Sequence, residues 1–334
     1  MRTRTHATLV FSAALVTGVS AACARQLQLA PTYLEQKVSI DELWQAPADL
    51  EQRDLFLGPG GEQLAPKNTS FTFVAEDASG WSPGFDVRDA KGIEWSVKLG
   101  PESQSEIVTS RILWAVGYHQ PPTYYLDQWT LAGSPNAAQN GTQKPGRFRP
   151  ELPGRTVVGD WSWYENPFIG SRPYRGLVVV NLIMTNWDWK TSNNKVYELS
   201  EPVRGVQRWF VVRDVGASLG TFTYPTVLKW FRLRGFGQGT RNDLPGFEAQ
   251  GFIKEIDDQG DVTFHYRGIY RDVINSVTAA DVRWACEQLS RLSARQWQDA
   301  FRAGGFTPEQ TARYVKKIQE KIDQGLTLTQ PLTR

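Results

Sequence analysis

The stretch WSVKLGPESQSE, residues 95–106, joins a predicted strand directly to a predicted helix. Apolar and polar side chains alternate over residues 93–99, which is typical of a strand and puts Lys98 near its end. Ser103 and Glu106 have the spacing of a capping box, which predicts that a helix begins there. Only eight residues separate Lys98 from Glu106. The two side chains can therefore pair only if the strand turns at once into the helix.

Short strands and helices are predicted in both directions from this stretch. The patterns predict strands at 71–75, 85–88, 124–129, 195–199 and 209–213, a helix at 173–186, a hairpin of 251–255 with 262–266, and helices at 278–292, 293–303 and 307–324. Thr278, Ser293 and Thr307 are predicted N-caps, and Gly325 is the predicted end of the last helix. Strands and helices in separate blocks predict an α+β fold with two lobes.

The N-terminus is typical of an export signal over residues 1–24. Arg2 and Arg4 precede an uncharged apolar run at 7–19, and small residues at 20–22 lead to Cys23. Two kinds of processing stay open: a lipoprotein whose lipidated Cys23 anchors it to a membrane, or ordinary signal cleavage. Either one predicts an exported protein, located in the periplasm or at the outer membrane.

The composition is that of a folded globular protein, with 40% hydrophobic and 22% charged residues among 334. Lys plus Arg total 37 and Asp plus Glu total 35, so the counts become equal once Arg2 and Arg4 leave with the signal. No basic footprint for a nucleic acid remains. Cys286 would lack an intrachain disulfide partner, and we expect it to be buried in a helix. After the signal, only two histidines remain, which disfavours a zinc site or a histidine triad.

Polar groups stand at the boundaries of several predicted elements. Lys98 lies on a strand, Glu106 on the helix after it, residues 188–193 (DWKTSN) on the loop after the second helix, and Asp214 at the end of a strand. Phosphoryl transfer needs a cation on the nucleotide phosphates, a carboxylate that orients this cation, a base near the acceptor and oxygen ligands for Mg²⁺. These groups supply a candidate for each role.

At these residues the chain resembles the protein-kinase-like superfamily, most nearly its atypical bacterial branch of HipA-like and CotH-like kinases. It is also similar to a group of uncharacterised exported bacterial proteins with strings like WSVKLG at 95–100 and NWD at 186–188. The resemblance covers residues 71–220. Its most specific part is Asp-x-Lys-x-x-Asn at 188–193, followed by Asp-Val-Gly at 214–216.

The resemblance implies a two-lobed protein-kinase-like fold. Before it, residues 25–70 are polar and contain four prolines, and this composition predicts a tether and N-terminal extension with a short amphipathic segment around 40–44. By the resemblance, residues 71–128 would be a small β-rich N-lobe with one helix. Residues 129–330 would form a larger, mainly helical C-lobe with insertions at 132–158 and 217–250. ATP and Mg²⁺ or Mn²⁺ would bind in the cleft between the lobes.

The resemblance also implies roles for single residues. Lys98 would bind the α and β phosphates while Glu106 holds it. Asp188 would orient or deprotonate the acceptor hydroxyl, and Lys190 would neutralise the γ phosphate.

Asn193 and Asp214 would hold the metal ion, since both offer hard oxygen ligands. The implied function is a Mg²⁺-dependent phosphotransferase, a kinase whose acceptor the sequence does not identify. The oligomeric state is not indicated either.

Each residue also has a purely structural interpretation. Glu106 can cap its own helix, and Lys98 can lie on the solvent face of an edge strand. Residues 188–194 can form an Asx-rich turn, and 214–216 a turn that ends a strand. Residues 80–81 and 241–243 fit either the site or surface turns.

Two other functions stay open. ATP is scarce outside the cytoplasm, so an exported chain can retain the kinase-like fold as a catalytically inactive interaction module. The second alternative rests on a tryptophan cluster at Trp161, Trp163, Trp187 and Trp189, because exposed indoles stack on sugars in glycan-binding proteins. Core packing is the simpler explanation of these tryptophans, and we favour it.

Overall fold

A computed structural model describes residues 38–77, 82–222, 239–266 and 268–328 of the chain. All of them belong to one of the two units into which the chain divides, Val38–Arg334, and the other unit is Met1–Lys37. Several predicted features lie outside the described residues: the export signal with Cys23, the start of the tether at 25–37, residues 80–81, and the part of the second insertion at 223–238. Within the described ranges, no helix has the length and apolar character needed to span a membrane.

Seven strands form the largest sheet of the described chain. They are β1 (Ser70–Asp77), β2 (Gly84–Arg88), β3 (Glu94–Leu99), β4 (Tyr124–Leu126), β5 (Trp129–Ala132), β6 (Gly141–Gln143) and β7 (Gly146–Pro150), in the order β4-β7-β3-β2-β1-β5-β6. Neighbours are antiparallel except for β1 and β5, which are parallel. The first three predicted strands are confirmed, and the strand predicted at 124–129 is replaced by β4 and β5.

Strand β7 corrects the prediction of an insertion at 132–158. Its five residues are all buried, and it pairs with β3 on one side and β4 on the other. The sheet therefore continues past the predicted lobe boundary at 128 as far as residue 150. The abundance of Gly and Pro in this region hid the Arg-Phe-Arg alternation at 147–149, which is the period of a strand.

The two faces of this sheet differ in chemistry because side chains alternate along each strand. Aromatic rings fill one face, among them Phe71, Phe85, Trp95, Trp129 and Phe148. On the other face, Lys98 of β3 lies opposite Arg147 of β7, and Arg149 follows two residues along the same strand. Three cations therefore share one face of the sheet.

The described helices are α1 (Gly61–Leu64), α2 (Glu102–Ala115), α3 (Arg172–Ile183), α4 (Leu244–Ala249), α5 (Arg271–Ile274), α6 (Ala279–Ser290), α7 (Ala294–Ala303) and α8 (Pro308–Leu326). Thr278, Ser293 and Thr307 cap α6, α7 and α8, each in a capping box, as predicted. Gly325 does not end α8, which continues to Leu326. A Cβ at position 325 would clash with the sulfur of Cys286 on α6, so glycine allows the two helices to pack closely at this point. Cys286 is buried, as expected.

The remaining strands form two small sheets. Strands β8 (Arg155–Asp160), β9 (Asn194–Val203) and β10 (Val206–Val212) pair in the order β10-β9-β8. Strands β11 (Ile253–Ile256) and β12 (Val262–Phe264) are antiparallel, as the predicted hairpin required. These sheets and the helices confirm the α+β class.

Helix α2 begins without the predicted capping box. Its N-cap is Pro101, and no side chain caps it. The Ser103 hydroxyl instead donates to the carbonyl oxygen of Lys98 at 2.8 Å, and Glu106 contacts the sheet. The turn from β3 into α2 is immediate, as the spacing of Lys98 and Glu106 requires.

The described part of the predicted tether is packed against the fold. A short 3₁₀ helix, Ile40–Glu42, occupies the predicted amphipathic segment, and Leu43, Leu50 and Leu55 are buried. The Gln296 side chain of α7 donates to the carbonyl oxygen of Leu50 at 2.7 Å. The composition of this region predicted a tether because its prolines break regular structure, but they do not prevent burial.

The four tryptophans of the glycan hypothesis belong to the core. Trp161, Trp163, Trp187 and Trp189 are between 0% and 3% exposed. Trp163 packs on Trp161 and Trp189 with ring centroids 5.0 and 4.7 Å apart. Core packing is confirmed, and the observation behind the glycan-binding alternative is removed, because none of these four indoles presents a face to a sugar.

Candidate functional site

Lys98 stands at the centre of a cluster of carboxylates. Its ammonium nitrogen lies 2.8 Å from Glu102 Oε2, 3.5 Å from Glu106 Oε2 and 2.9 Å from Asp214 Oδ2. Glu102 and Glu106 are one turn apart on α2, whereas Asp214 follows β10. The cluster therefore joins three separate segments of the chain. It contains Glu106, which the sequence predicted beside Lys98, and Asp214, which was predicted in the same site.

Glu106 serves two arginines as well as Lys98. Its side chain is 1% exposed, and Oε1 lies 3.0 Å from Arg147 Nε and 2.6 Å from Arg149 Nη2. Burial first, and then the charges of Arg147 and Arg213, lower the pKa of Arg149 to about 9, while Glu106 opposes this shift. Of the three carboxylates, Glu106 is the farthest from Lys98 and the most deeply buried.

A cavity of about 370 Å³ lies next to Glu102 and is lined by residues that contact this side chain. Ser82 and Arg241 line this cavity, and both contact Glu102: Ser82 donates to Oε2 at 3.1 Å, and Arg241 forms an ion pair with Oε1. The Arg241 guanidinium also lies 5.0 Å over the ring of Trp187. Arg241 thus belongs to the site rather than to a surface turn, and it links α2 to the loop that carries Asp188.

Asp214 receives hydrogen bonds from Lys98 and from the backbone of its own turn. Lys98 donates to both carboxylate oxygens, at 2.9 and 3.1 Å, and the Gly216 N–H donates to Oδ1 at 3.3 Å. Burial raises the pKa of Asp214, but Lys98 and these hydrogen bonds outweigh burial and lower the pKa to about 2. Asp214 is therefore ionised across the physiological pH range.

Gly216 allows the Asp-Val-Gly turn to approach α2. A Cβ at this position would lie 2.8 Å from the Cβ of Glu102, closer than real side chains come. The Ser105 hydroxyl of α2 donates to the carbonyl oxygen of Gly216 at 2.6 Å. The small residue and this hydrogen bond fix Asp214 beside the N-terminal turn of α2.

The loop with Asp188 runs beside the Asp214 turn. The backbone N–H of Trp187 donates to the carbonyl oxygen of Ala217 at 3.2 Å, and the backbone N–H of Asp214 donates to the carbonyl oxygen of Asn193 at 3.0 Å. The Asn193 side chain closes the loop by donating to the carbonyl oxygen of Asp188 at 2.7 Å. The backbone therefore brings Asn193 next to Asp214, with Asp188 in the same loop.

The two carboxylate oxygens of Asp188 differ in their hydrogen bonding. Oδ2 accepts a hydrogen bond from Lys190 at 3.0 Å, while Oδ1 is buried and has no hydrogen-bond partner among the described residues. An unsatisfied buried carboxylate oxygen is unfavourable, and such atoms are concentrated where a substrate or ion completes the hydrogen bonding.

Asn193 and Asp214 offer the oxygen atoms that Mg²⁺ prefers. The described part of the chain has no cluster of three or more His, Cys, Asp or Glu residues that could hold a metal by itself. Mg²⁺ commonly takes only one or two carboxylates from the protein and completes its coordination shell with water and phosphate oxygens. The residues present fit a site of that kind, and their roles stay a prediction.

The structure thus brings Lys98, Glu106 and Asp214 together, and it places Asp188, Lys190 and Asn193 in one neighbouring loop. Sequence reasoning missed three charged residues of the site, Glu102, Arg147 and Arg149, and it left Arg241 open between the site and a surface turn. The alternation around Phe148 was a signal for Arg147 and Arg149. Glu102 carried a weaker one, because it lies four residues after Lys98.

Comparisons with known proteins find similarity among solved structures alone. No family model matches the chain, and no curated protein matches it. The chain is similar to the proinflammatory kinase CtkA of Helicobacter pylori, with 10% identity and a TM-score of 0.41 over 77% of this chain and 96% of that one. It is also similar to the Golgi casein kinase, with 10% identity and a TM-score of 0.34 over 77% of this chain and 71% of that one.

We expect the Glu106→Gln substitution to lower the free energy of unfolding by about 3 kcal/mol, because it leaves two buried arginines without their carboxylate. Urea denaturation measures the loss. Glu94→Gln is the matched control: Glu94 pairs with Arg88 on the surface of the same sheet, and its loss should stay below about 1 kcal/mol. Equal losses in the two variants would contradict this assignment of Glu106.

We expect Asp214→Asn to lower the free energy of unfolding by about 1 kcal/mol at pH 7. Because its pKa is lowered, Asp214 stabilises the folded state fully above the ordinary value of 3.8, and this contribution is lost as the pH falls through about 2. The side chain is 42% exposed, so water screens the charge and reduces the effect.

Urea unfolding of both proteins at several pH values between 7 and 2.5 measures this difference, which should narrow as the pH falls. Asp258→Asn, in the exposed turn of the β11–β12 hairpin, serves as the control and should change stability little at any pH. A difference for Asp214→Asn that does not depend on pH would show that the ion pair with Lys98 does not stabilise the fold.

Proposed function

We propose that the protein binds ATP with Mg²⁺ or Mn²⁺ beside Lys98 on a two-lobed kinase-like fold, and that it transfers the γ phosphoryl group to an acceptor hydroxyl. The observation that carries this proposal is the contact of Lys98 with both carboxylate oxygens of Asp214, which lies 116 residues further along the chain. Together with Asn193 beside Asp214, it supplies a cation for phosphates and oxygen ligands for a metal ion at one place.

The charge balance of the site suits a phosphorylated ligand. Four cations meet three carboxylates: Lys98, Arg147, Arg149 and Arg241 against Glu102, Glu106 and Asp214. The surplus of one positive charge favours an anion. The adjoining cavity of about 370 Å³ lies within the range of roughly 300–1,000 Å³ that is usual for small-molecule pockets.

Asp188 is the proposed base. Its unpartnered Oδ1 would accept the proton of the acceptor hydroxyl, whose oxygen then attacks the γ phosphorus while the bond to the departing ADP breaks. Lys190, 60% exposed and now paired with Asp188, would turn toward the γ phosphate. A metal ion held by Asn193 and Asp214 would supply further positive charge against the phosphate oxygens.

One observation favours a second candidate, a catalytically inactive kinase-like interaction module. Glu102 lies between Lys98 and Arg241 and pairs with both, so these two cations are already neutralised by a carboxylate of the same chain. Nucleotide binding requires at least one of these pairs to open. A chain that never opens them would keep the fold without the reaction.

We expect ATP to raise the melting temperature only when Mg²⁺ or Mn²⁺ is present. At an ATP concentration of 100 Kd the native state gains about 2.7 kcal/mol, which corresponds to a shift of about 5 °C. Asp214→Ala should abolish the shift, because the metal loses a charged ligand. Asp188→Ala should retain the shift and lose phosphate transfer from γ-labelled ATP, since a base contributes to turnover more than to ground-state binding.

Asp258→Ala is the control and should behave like the wild type in both assays. Metal-dependent stabilisation without transfer to any acceptor would favour the inactive module. Absence of a shift at millimolar ATP with either metal would refute nucleotide binding and, with it, the proposed function.

A further inference from the structure

A second cavity, of about 150 Å³, lies at the other end of α2 from Glu102. Trp114 and Gly117 line it where the helix ends, and residues of β8, β9 and β10 complete its wall. The 14 residues of α2 span about 20 Å, and no residue lines both cavities. This cavity is therefore separate from the proposed nucleotide site.

Arginines give this cavity its charge. Arg155 and Arg204 both line it, and neither forms an ion pair within the described ranges. The Arg155 guanidinium instead lies 4.8 Å over the ring of Trp209, and Arg204 donates to the carbonyl oxygen of Ala46 at 3.3 Å. A third arginine of the wall, Arg53, is neutralised by Asp49 at 3.0 Å. The charge of Arg204 also acts on Asp49, so Arg155 is the unopposed cation of the wall and Arg204 a partly opposed one.

Two buried polar atoms in the wall have no hydrogen-bond partner among the described residues. One is the indole N–H of Trp209, a residue that is 7% exposed, and the other is Gln45 Oε1. The amide nitrogen of Gln45 donates to the carbonyl oxygen of Arg204 at 3.0 Å, which fixes Oε1 as an acceptor. Two residues that line the cavity therefore each hold a buried polar atom with no hydrogen-bond partner, one a donor and one an acceptor.

His119 lines the cavity with a neutral ring. Its ring stacks on Trp209 with centroids 5.0 Å apart, and its Nε2 donates to the carbonyl oxygen of Asp41 at 2.7 Å. Burial lowers the pKa of His119 to about 4, which keeps the imidazole neutral at physiological pH. The charge available to a ligand is that of Arg155 and Arg204.

We propose that this cavity binds a small protonated oxyanion, namely hydrogen phosphate, either as the free ion or as the phosphate group of a small monoester. Its charged oxygens would accept hydrogen bonds from the Trp209 N–H and the two unpaired arginines, and its P–OH group would donate to Gln45 Oε1. Sulfate has the same shape, but it carries no proton near neutral pH and leaves the Gln45 oxygen unsatisfied. A cavity of this volume admits a ligand about the size of benzene.

The experiment compares inorganic phosphate with sulfate by calorimetric titration of the full chain at about pH 6, without nucleotide or Mg²⁺. We expect phosphate to bind about tenfold more tightly than sulfate, since an unsatisfied buried acceptor is unfavourable by an amount of that order. Methyl phosphate forms a third arm. If methyl phosphate binds as tightly as inorganic phosphate, the site takes monoesters. If methyl phosphate binds markedly more weakly, the site takes the free ion.

Variants locate the bound ion. Trp209→Phe keeps the ring but removes the N–H, and it should weaken phosphate binding about tenfold, as should Arg155→Gln. Gln45→Leu should make phosphate and sulfate equivalent. The exposed Arg302→Gln and the nucleotide-site variant Lys98→Met should both retain the wild-type preference, which separates this proposal from the proposed function.

Equal binding of phosphate and sulfate by the wild type would overturn the proposal, and this comparison requires no variant to fold. Failure of both anions to bind would mean that the cavity holds only water. Loss of the phosphate preference in Lys98→Met would place the bound phosphate at the nucleotide site instead. Neither equal binding of the two anions nor the absence of binding bears on whether the chain binds ATP with Mg²⁺.

Discussion

The buried carboxylate of Glu106 is the interaction on which the rest of the site depends. The register of β3 and β7 places Lys98 opposite Arg147, with Arg149 on the same face. Like charges at this spacing repel each other, and without an anion the sheet could not bury them. Glu106 contacts all three cations from α2. The same contacts fix the position and rotation of the helix against the sheet.

The second carboxylate of α2, Glu102, has different contacts from those of Glu106. Glu102 lies one turn before Glu106 and pairs with Lys98 and with Arg241, of which Arg241 lines the cavity. Asp214 pairs with Lys98 because Gly216 allows the turn at 214–216 to pack closely against α2. The two glutamates of one helix therefore differ in their surroundings: Glu106 joins the helix to the sheet, and Glu102 lies next to the cavity.

Sequence patterns correctly predicted the features of this fold that depend on residues close together in the chain. The alternation in the first three strands and the N-caps Thr278, Ser293 and Thr307 depend on neighbours in sequence, and the structure has them. The predicted cap at Ser103 was wrong because its partner, Glu106, is drawn to cations of a sheet that forms through distant pairing. The order of motifs placed Lys98 and Asp214 in one site, whereas residues 241–243 fitted a surface turn equally well, because the partner of Arg241, Glu102, lies 139 residues earlier in the chain.

The most direct measurement of the central claim is the chemical labelling of Lys98 by an acyl phosphate of ATP. The reagent transfers its acyl group to an amine held beside the nucleotide phosphates, and peptide mass spectrometry identifies the lysine that is modified. The account predicts labelling of Lys98, suppressed by excess ATP with Mg²⁺ and much reduced in Asp214→Ala. Labelling spread over exposed lysines and insensitive to ATP would contradict a nucleotide site at Lys98.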